Sequence, residues 1–289
     1  MIKKTLISTV VILVFYNIFV YINPWKSKTV SQWEDNERTA EYFLFSQNKI
    51  SSVIVGSSMS TRLIDSLLPA KWNNLSFGGQ GVYEGLEIIR KSGKYPDTLL
   101  IEMNIILKKP FDNFAGKFFF PGIYQLKKKL PGMRKEYYPA SFVQYFMYGI
   151  TRKYYILRNK FKKIKKKQEN KIELKKDTTI SDLKKQNYKK LINSYNSDTN
   201  KVMISFLEKE IKLMQRKNVT VIFFEMPVLK DLYYSKKQIE IRKIIKEKFP
   251  DIKFISLKNY NDYETSDGVH LTPESADKYT KFLLNNINK

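Results

Sequence analysis

The sequence predicts an α/β fold built on a doubly wound, mostly parallel sheet. Three observations carry this reading. Short apolar, β-branched runs (Ser51 to Gly56, Thr98 to Met103, Val219 to Phe224) have the pattern of strands buried on both faces. They alternate with segments of helical spacing, such as Val82 to Lys91, where Val82, Leu86 and Ile89 recur on one face. Residues able to do chemistry stand where strands end: Ser58 after the first, Gly79 after the second, Asn104 after the third, and Asp267 and His270 just before the last helix. In a doubly wound sheet, strand ends of this kind converge on one edge.

The chain opens on a short basic start, Lys3 and Lys4, followed by Thr5 to Ile22 with almost no polar interruption. At about 1.5 Å per residue such a run nearly spans a hydrocarbon core of about 30 Å. Tyr16, Tyr21 and Trp25 suit an interface belt. Asn23-Pro24-Trp25-Lys26 is a poor cleavage site, so residues 1–30 read as a retained signal anchor, with 31–289 as one α/β domain. Lys3 and Lys4 on one flank against Lys26 and Lys28 on the other specify topology weakly; the expectation is the amino terminus inside and the domain outside.

Ser31 to Gln47 reads as a polar, partly amphipathic helix, Thr61 to Leu68 as a helical segment after the first strand, and Trp72 to Phe77 as the second strand, ending in Gly78-Gly79-Gln80-Gly81. After the third strand the alternation stops. From about 108 to 200 no strand pattern is visible, and the interval reads as a mostly helical, Lys-rich insertion over the carboxyl edge of the sheet, with a helix over Ser141 to Leu157. Its lysines (Lys160, Lys162, Lys163, Lys165, Lys166, Lys167) are either a solvated helix face or a contact with anionic lipid or polymer. The alternation resumes with a helix over Lys201 to Arg216, a helix over Ser235 to Lys248 and a strand over Lys253 to Leu257. Pro273 to Asn286 closes the chain as a helix, with Thr272 as N-cap and Pro273 at the first helical position.

Composition bounds the chemistry. The chain has no cysteine, which excludes disulfides and thiolate metal sites, and one histidine, which excludes a His-rich metal site; no cofactor or metal is expected. The net charge of +24 admits two readings, an anionic partner or a general lysine bias. The chain carries no recognised nucleic-acid-binding motif, so no nucleic-acid partner is expected.

Val53-Ile54-Val55-Gly56-Ser57-Ser58 ends a strand in a tight turn that lifts a hydroxyl to the sheet edge. The Gly-x-Ser register selects Ser58 as nucleophile and leaves Ser57 as a turn residue. His270 can take the proton of Ser58, and Asp267, three residues earlier, can orient the imidazole through a local turn. The Ser58 and Gly79 N–H groups and the Asn104 amide can form an oxyanion hole. Asp65, Glu84, Asp177, Asp182 and Asp198 read as solvent-facing charges.

These residues resemble the blocks of the SGNH, or GDSL-like, hydrolase superfamily. Gly56-Ser57-Ser58 is similar to the first block, with Ser57 where many members have aspartate. Asn74-Leu75-Ser76-Phe77-Gly78-Gly79 resembles the second. Ile101-Glu102-Met103-Asn104 resembles the third, with Glu102 in place of the usual glycine and Ile105 in place of the aspartate after Asn. Asp267-Gly268-Val269-His270-Leu271 resembles the fifth. The resemblance covers Ser51 to Asn104 and Val219 to Asn286. It implies a flavodoxin-like three-layer fold and a Ser-His-Asp triad of Ser58, His270 and Asp267. The Gly-Ser-Ser start, the anchor and the long insertion resemble the envelope branch, which includes the D-alanyl transfer protein of teichoic acid modification and proteins of glycan O-acetylation. That branch implies acyl transfer or ester hydrolysis on a cell-envelope glycan, outside the membrane and often beside a membrane-bound O-acyltransferase. A non-catalytic accessory or glycan-binding protein of an envelope-modification complex is the second class of function; a Ser58 far from His270 would favour it.

Overall fold

The computed structural model describes residues 2–22, 29, 31–139, 143, 147, 150, 151, 186, 188–190, 197–257 and 259–287. Five short strands form one sheet: β1 (Ser52–Gly56), β2 (Trp72–Ser76), β3 (Thr98–Glu102), β4 (Thr220–Phe224) and β5 (Lys253–Ile255). Their order across the sheet is β2-β1-β3-β4-β5 and every neighbouring pair is parallel. The chain therefore winds outward from β1 in one direction to β2 and in the other to β3, β4 and β5. In open α/β sheets the crevice outside the carboxyl ends, where this reversal occurs, is where ligands bind. The continuous apolar runs follow from the architecture: all of β1, and β3 from Leu99 to Glu102, is buried.

The helices that precede or follow the strands along the chain are α2 (Gln32–Phe45), α3 (Tyr83–Ser92), α5 (Ser197–Arg216), α6 (Lys230–Tyr233), α7 (Lys236–Lys248) and α8 (Pro273–Ile287). Two of them show why helix and strand can approach so closely. In α3, a Cβ on Gly85 would stand 2.7 Å from Val55 Cγ1, so only glycine lets this turn lie against β1. In α8, Ala276, Tyr279, Thr280 and Leu283 are buried at helical spacing. Thr272 caps it as its sequence indicates: its Oγ1 accepts from Ser275 N–H at 3.4 Å.

The segment after β1 departs from expectation. No α-helix forms over 61–68; two single 3-10 turns, Ser60–Arg62 and Asp65–Leu67, take its place. Leu63 and Ile64 between them have ψ of 142° and 101°, and Ile64 N–H donates to Thr280 Oγ1 on α8 rather than to a helical carbonyl. Tertiary hydrogen bonds override the local apolar spacing here.

The chain divides into two compact units, Met1–Glu41 with Phe118–Lys176, and Tyr42–Lys117 with Asp177–Lys289. The sheet lies wholly in the second. In the first, α1 (Ile2–Ile22) is long and apolar enough to cross a membrane, and its apolar side chains are mostly exposed. Toward its carboxyl end Asn17 is buried and accepts from Gly132 N–H at 2.8 Å. Short 3-10 turns at Pro131–Met133 and Lys135–Tyr137 follow α4 (Pro121–Lys129) in this unit. Among the described residues of 108–200 there is no strand. The lysine run at 160–167 and most of the helix expected over Ser141 to Leu157 lie outside the described residues.

Candidate active site

Ser58 stands two residues beyond the end of β1, half-buried, in the turn that leads into Ser60–Arg62. Its partner comes from the far end of the chain. His270 Nε2 lies 2.9 Å from Ser58 Oγ, across 212 residues of sequence. On the other side of the ring, Nδ1 lies 2.8 Å from Asp267 Oδ2. The tautomer with the proton on Nδ1 donates to the carboxylate and leaves Nε2 as the acceptor for the serine hydroxyl.

The loop that carries this pair is built by the aspartate itself. Asp267 Oδ1 accepts from Val269 N–H at 3.1 Å and His270 N–H at 2.9 Å, an Asx turn, while Oδ2 remains for the imidazole. Gly268 takes φ +92°, a conformation L side chains rarely adopt, and its carbonyl accepts from Leu229 N–H. The turn is closed below by an antiparallel bridge between Thr265 and Leu271. One short stretch, Asp267-Gly268-Val269-His270, therefore makes its own turn and aims its own ring. Asp267 is buried, the His270 side chain is 13% exposed and Ser58 is half-buried, so the pair is partly accessible to solvent.

The other predicted residues lie on neighbouring strand ends. Gly79 follows β2 with φ +72°. Neither its N–H nor that of Ser58 has a protein acceptor among the described residues, which leaves both as donors for an anion. Asn104 follows β3 and is buried. Its amide spans the Met226 backbone, Nδ2 donating to Met226 O at 2.9 Å and Oδ1 accepting from Met226 N–H at 2.7 Å. A primary amide nitrogen carries two hydrogens, so Nδ2 retains a second. Ser57 is buried and its hydroxyl donates to Glu102, in keeping with a turn residue.

Three charged residues have structural duties here that their sequence context did not reveal. Glu102, at the end of β3, is fully buried and faces the serine turn, accepting from Ser57 N–H at 2.8 Å and Ser60 Oγ at 2.5 Å. Burial pushes its carboxyl above the ordinary value, against the opposing pull of hydrogen bonds from Ser60 and Ser57. Glu84 is not a surface charge. It is buried at the start of α3 and accepts from Gly81 N–H at 3.1 Å and Phe111 N–H at 2.7 Å, fixing the loop that contains Gly79. Lys108 donates to the Gly79 carbonyl, and its ammonium is pushed down by burial, with Glu84 and Glu102 opposing. A glutamate in the first turn of an amphipathic helix looks like a surface residue by pattern. Only the three-dimensional approach of two loops shows otherwise. Asp65, by contrast, is exposed as expected, whereas Asp177 and Asp182 lie outside the described residues and the Asp198 side chain is likewise not described.

Among the described residues no group of three or more His, Asp or Glu side chains is arranged to hold a metal ion. No protein-family model, curated protein or solved structure matches this chain.

Proposed function

We propose that this chain is a serine ester hydrolase or O-acyltransferase of the SGNH type, with the flavodoxin-like three-layer fold that the sheet order resembles. The observation that carries the reading is the relay Ser58 Oγ–His270 Nε2 at 2.9 Å with His270 Nδ1–Asp267 Oδ2 at 2.8 Å. The same distance counts against the reading as a non-catalytic accessory protein, which a separated serine and histidine would have favoured.

In this mechanism Ser58 Oγ attacks the acyl carbonyl as His270 Nε2 takes its proton. The tetrahedral oxyanion is held by the Ser58 and Gly79 N–H groups and the second Asn104 amide hydrogen. Collapse expels the alcohol, which receives the proton from His270, and leaves the acyl group on Ser58. Water or a sugar hydroxyl then attacks the acyl-enzyme while His270 again accepts the proton; the bond from the acyl carbon to Ser58 Oγ breaks, and His270 returns the proton to Oγ. Asp267 stays ionised throughout and stabilises the imidazolium.

The substrate we propose is an acyl ester, acetyl first, of a cell-envelope glycan, reached from the extracytoplasmic side with α1 as the membrane anchor. A membrane-bound O-acyltransferase is the proposed partner. These finer assignments rest on the resemblance of the four sequence blocks, the anchor and the insertion. The test is incubation of the full chain in detergent with a chromogenic acetyl ester, with and without a glycan acceptor, alongside labelling by a serine-directed fluorophosphonate. The expected result is ester turnover and labelling that both vanish in Ser58→Ala. Labelling that persists without Ser58 places the nucleophile elsewhere; no turnover and no labelling of the wild type returns the accessory-protein reading.

A further inference from the structure

The serine turn has an unusual foundation. Residues 57 to 60 lead into a single 3-10 turn rather than an α-helix, with backbone bonds from Thr61 N–H to Ser57 O at 3.2 Å and from Arg62 N–H to Met59 O at 3.0 Å. Beneath this short turn a single buried carboxylate gathers the donors of Ser57 and Ser60. Glu102 accepts from Ser57 N–H (2.8 Å), Ser57 Oγ (2.7 Å to Oε1), Ser60 N–H (3.3 Å) and Ser60 Oγ (2.5 Å). Ser57 Oγ in turn accepts from Met59 N–H at 3.2 Å. The residues just before and two after Ser58 are thus both fastened to the end of β3, the strand beside β1 in the sheet. Gly56 completes the fit, because a Cβ there would lie 2.6 Å from Glu102 Oε2.

The donor count shows what the carboxyl is for. Four N–H or O–H groups converge on its two oxygens, so neither oxygen is left without a partner. A buried carboxylate is costly unless it is hydrogen-bonded. Glu102 is neither near the hydroxyl chemistry through a direct bond to Ser58 nor paired with a cation in an ion pair among the described residues. Its bonds all go to the two ends of the arc that carries Ser58.

We propose that Glu102 is a positioning residue: by clamping Ser57 and Ser60 it sets where the Ser58 hydroxyl stands relative to His270 Nε2. The proposal rests on the serine-nucleophile reading above, but it makes a claim about geometry that can be measured without turnover. Ser58 meets a partner 212 residues away, and the hydrogen bond between them depends on where this short turn holds the serine. Misplacement of a reacting group by about 1 Å costs on the order of 10² in rate.

The experiment uses the full-length protein in detergent, with histidine labelled with nitrogen-15. His270 is the only histidine, so its two imidazole signals are unambiguous. Two readouts are taken for wild type, Glu102→Gln, Ser60→Ala and Ser58→Ala: the imidazole Nε2 shift, which reports the bond from Ser58, and the rate of fluorophosphonate labelling. The expected result for Glu102→Gln is an Nε2 signal moved to the position it holds in Ser58→Ala, with labelling slowed on the order of 10²-fold and a cooperative thermal transition retained. Ser60→Ala removes one of the four donor groups and should slow labelling about tenfold; it decides the matter if Glu102→Gln does not fold. An Nε2 signal that stays at its wild-type position in the folded variants overturns the proposal, and so does an unchanged labelling rate. If the wild type itself is not labelled, the serine-nucleophile reading fails, and the Nε2 signal alone decides whether Glu102 positions Ser58.

Discussion

Gly56→Ala should damage the site and the fold together, and the size of the effect can be worked from the structure. An added Cβ would stand 2.5 Å from Ser60 Oγ, 2.6 Å from Glu102 Oε2 and 2.7 Å from Ser60 Cβ. Ordinary contact needs about 3.5 Å, so the shortfall is roughly 1 Å on three atoms at once. β1 cannot relieve it by moving, because it is fully buried between β2 and β3. Ser60 and Glu102 must give way instead, and they are fastened to each other. Overpacking of this kind costs about 1–3 kcal/mol. At about 2–4 °C per kcal/mol for a chain of this size, the melting temperature should fall by roughly 2–12 °C. The displaced clamp should also slow fluorophosphonate labelling of Ser58 on the order of 10²-fold. Gly122→Ala is the control: nothing lies within 4 Å of the added Cβ, so neither the melting temperature nor the labelling rate should fall. A Gly56→Ala protein that melts and labels like wild type would refute both the crowding argument and the role given to the clamp.

Asp267→Asn should keep the fold but lower the turnover rate by roughly 10³–10⁴-fold, because the amide stabilises the wrong imidazole tautomer; pre-steady-state acylation measures it, and near-wild-type acylation would remove Asp267 from the relay. The pH dependence of stability tests Glu102 separately. Its carboxyl is raised by burial, so the folded chain holds the proton more tightly than the unfolded one; the resulting stability is full below the ordinary value of 4.5 and is lost as pH rises through the raised one. The melting temperature of wild type relative to Glu102→Gln should therefore decline across that window, and a pH-independent difference would contradict the assignment. For α1, the full chain should stay in the membrane pellet after carbonate extraction; release would show that the helix does not span.

The strands and the Asp267–His270 pair were legible in the sequence for different reasons. β1 and β3 are buried on both faces, so their apolar runs carry no alternation to misread. Asp267 and His270 were legible because their geometry is local: an Asx turn over four residues orients the ring whatever lies elsewhere. The segment 61–68 failed for the opposite reason. Its Leu63, Ile64, Leu67 and Leu68 have helical spacing, but Ser60 is held by Glu102 and Ile64 by Thr280, contacts 42 and 216 residues away. Glu84 failed similarly, since its partner Phe111 lies 27 residues downstream across a loop.

The two places where the sequence departs from the blocks it resembles turn out to be one feature. Ser57 stands where an aspartate is common in the first block, and Glu102 where a glycine is common in the third. Read separately, each departure weakens the resemblance: one position loses a carboxylate and the other crowds a strand end. In the fold they face each other, with the Ser57 hydroxyl and N–H both donating to Glu102. The turn that carries Ser58 therefore has a carboxylate beneath it, presented from β3. The arrangement carries its own demands. A carboxylate reaching across from β3 needs a residue without a Cβ at the end of β1, which is Gly56, and needs a second hydroxyl to satisfy its remaining lone pairs, which is Ser60. Gly56, Ser57, Ser60 and Glu102 are therefore coupled. Ser57→Asp alone would set two carboxylates against each other in a buried site, whereas Ser57→Asp together with Glu102→Gly should give a folded turn with a cooperative thermal transition.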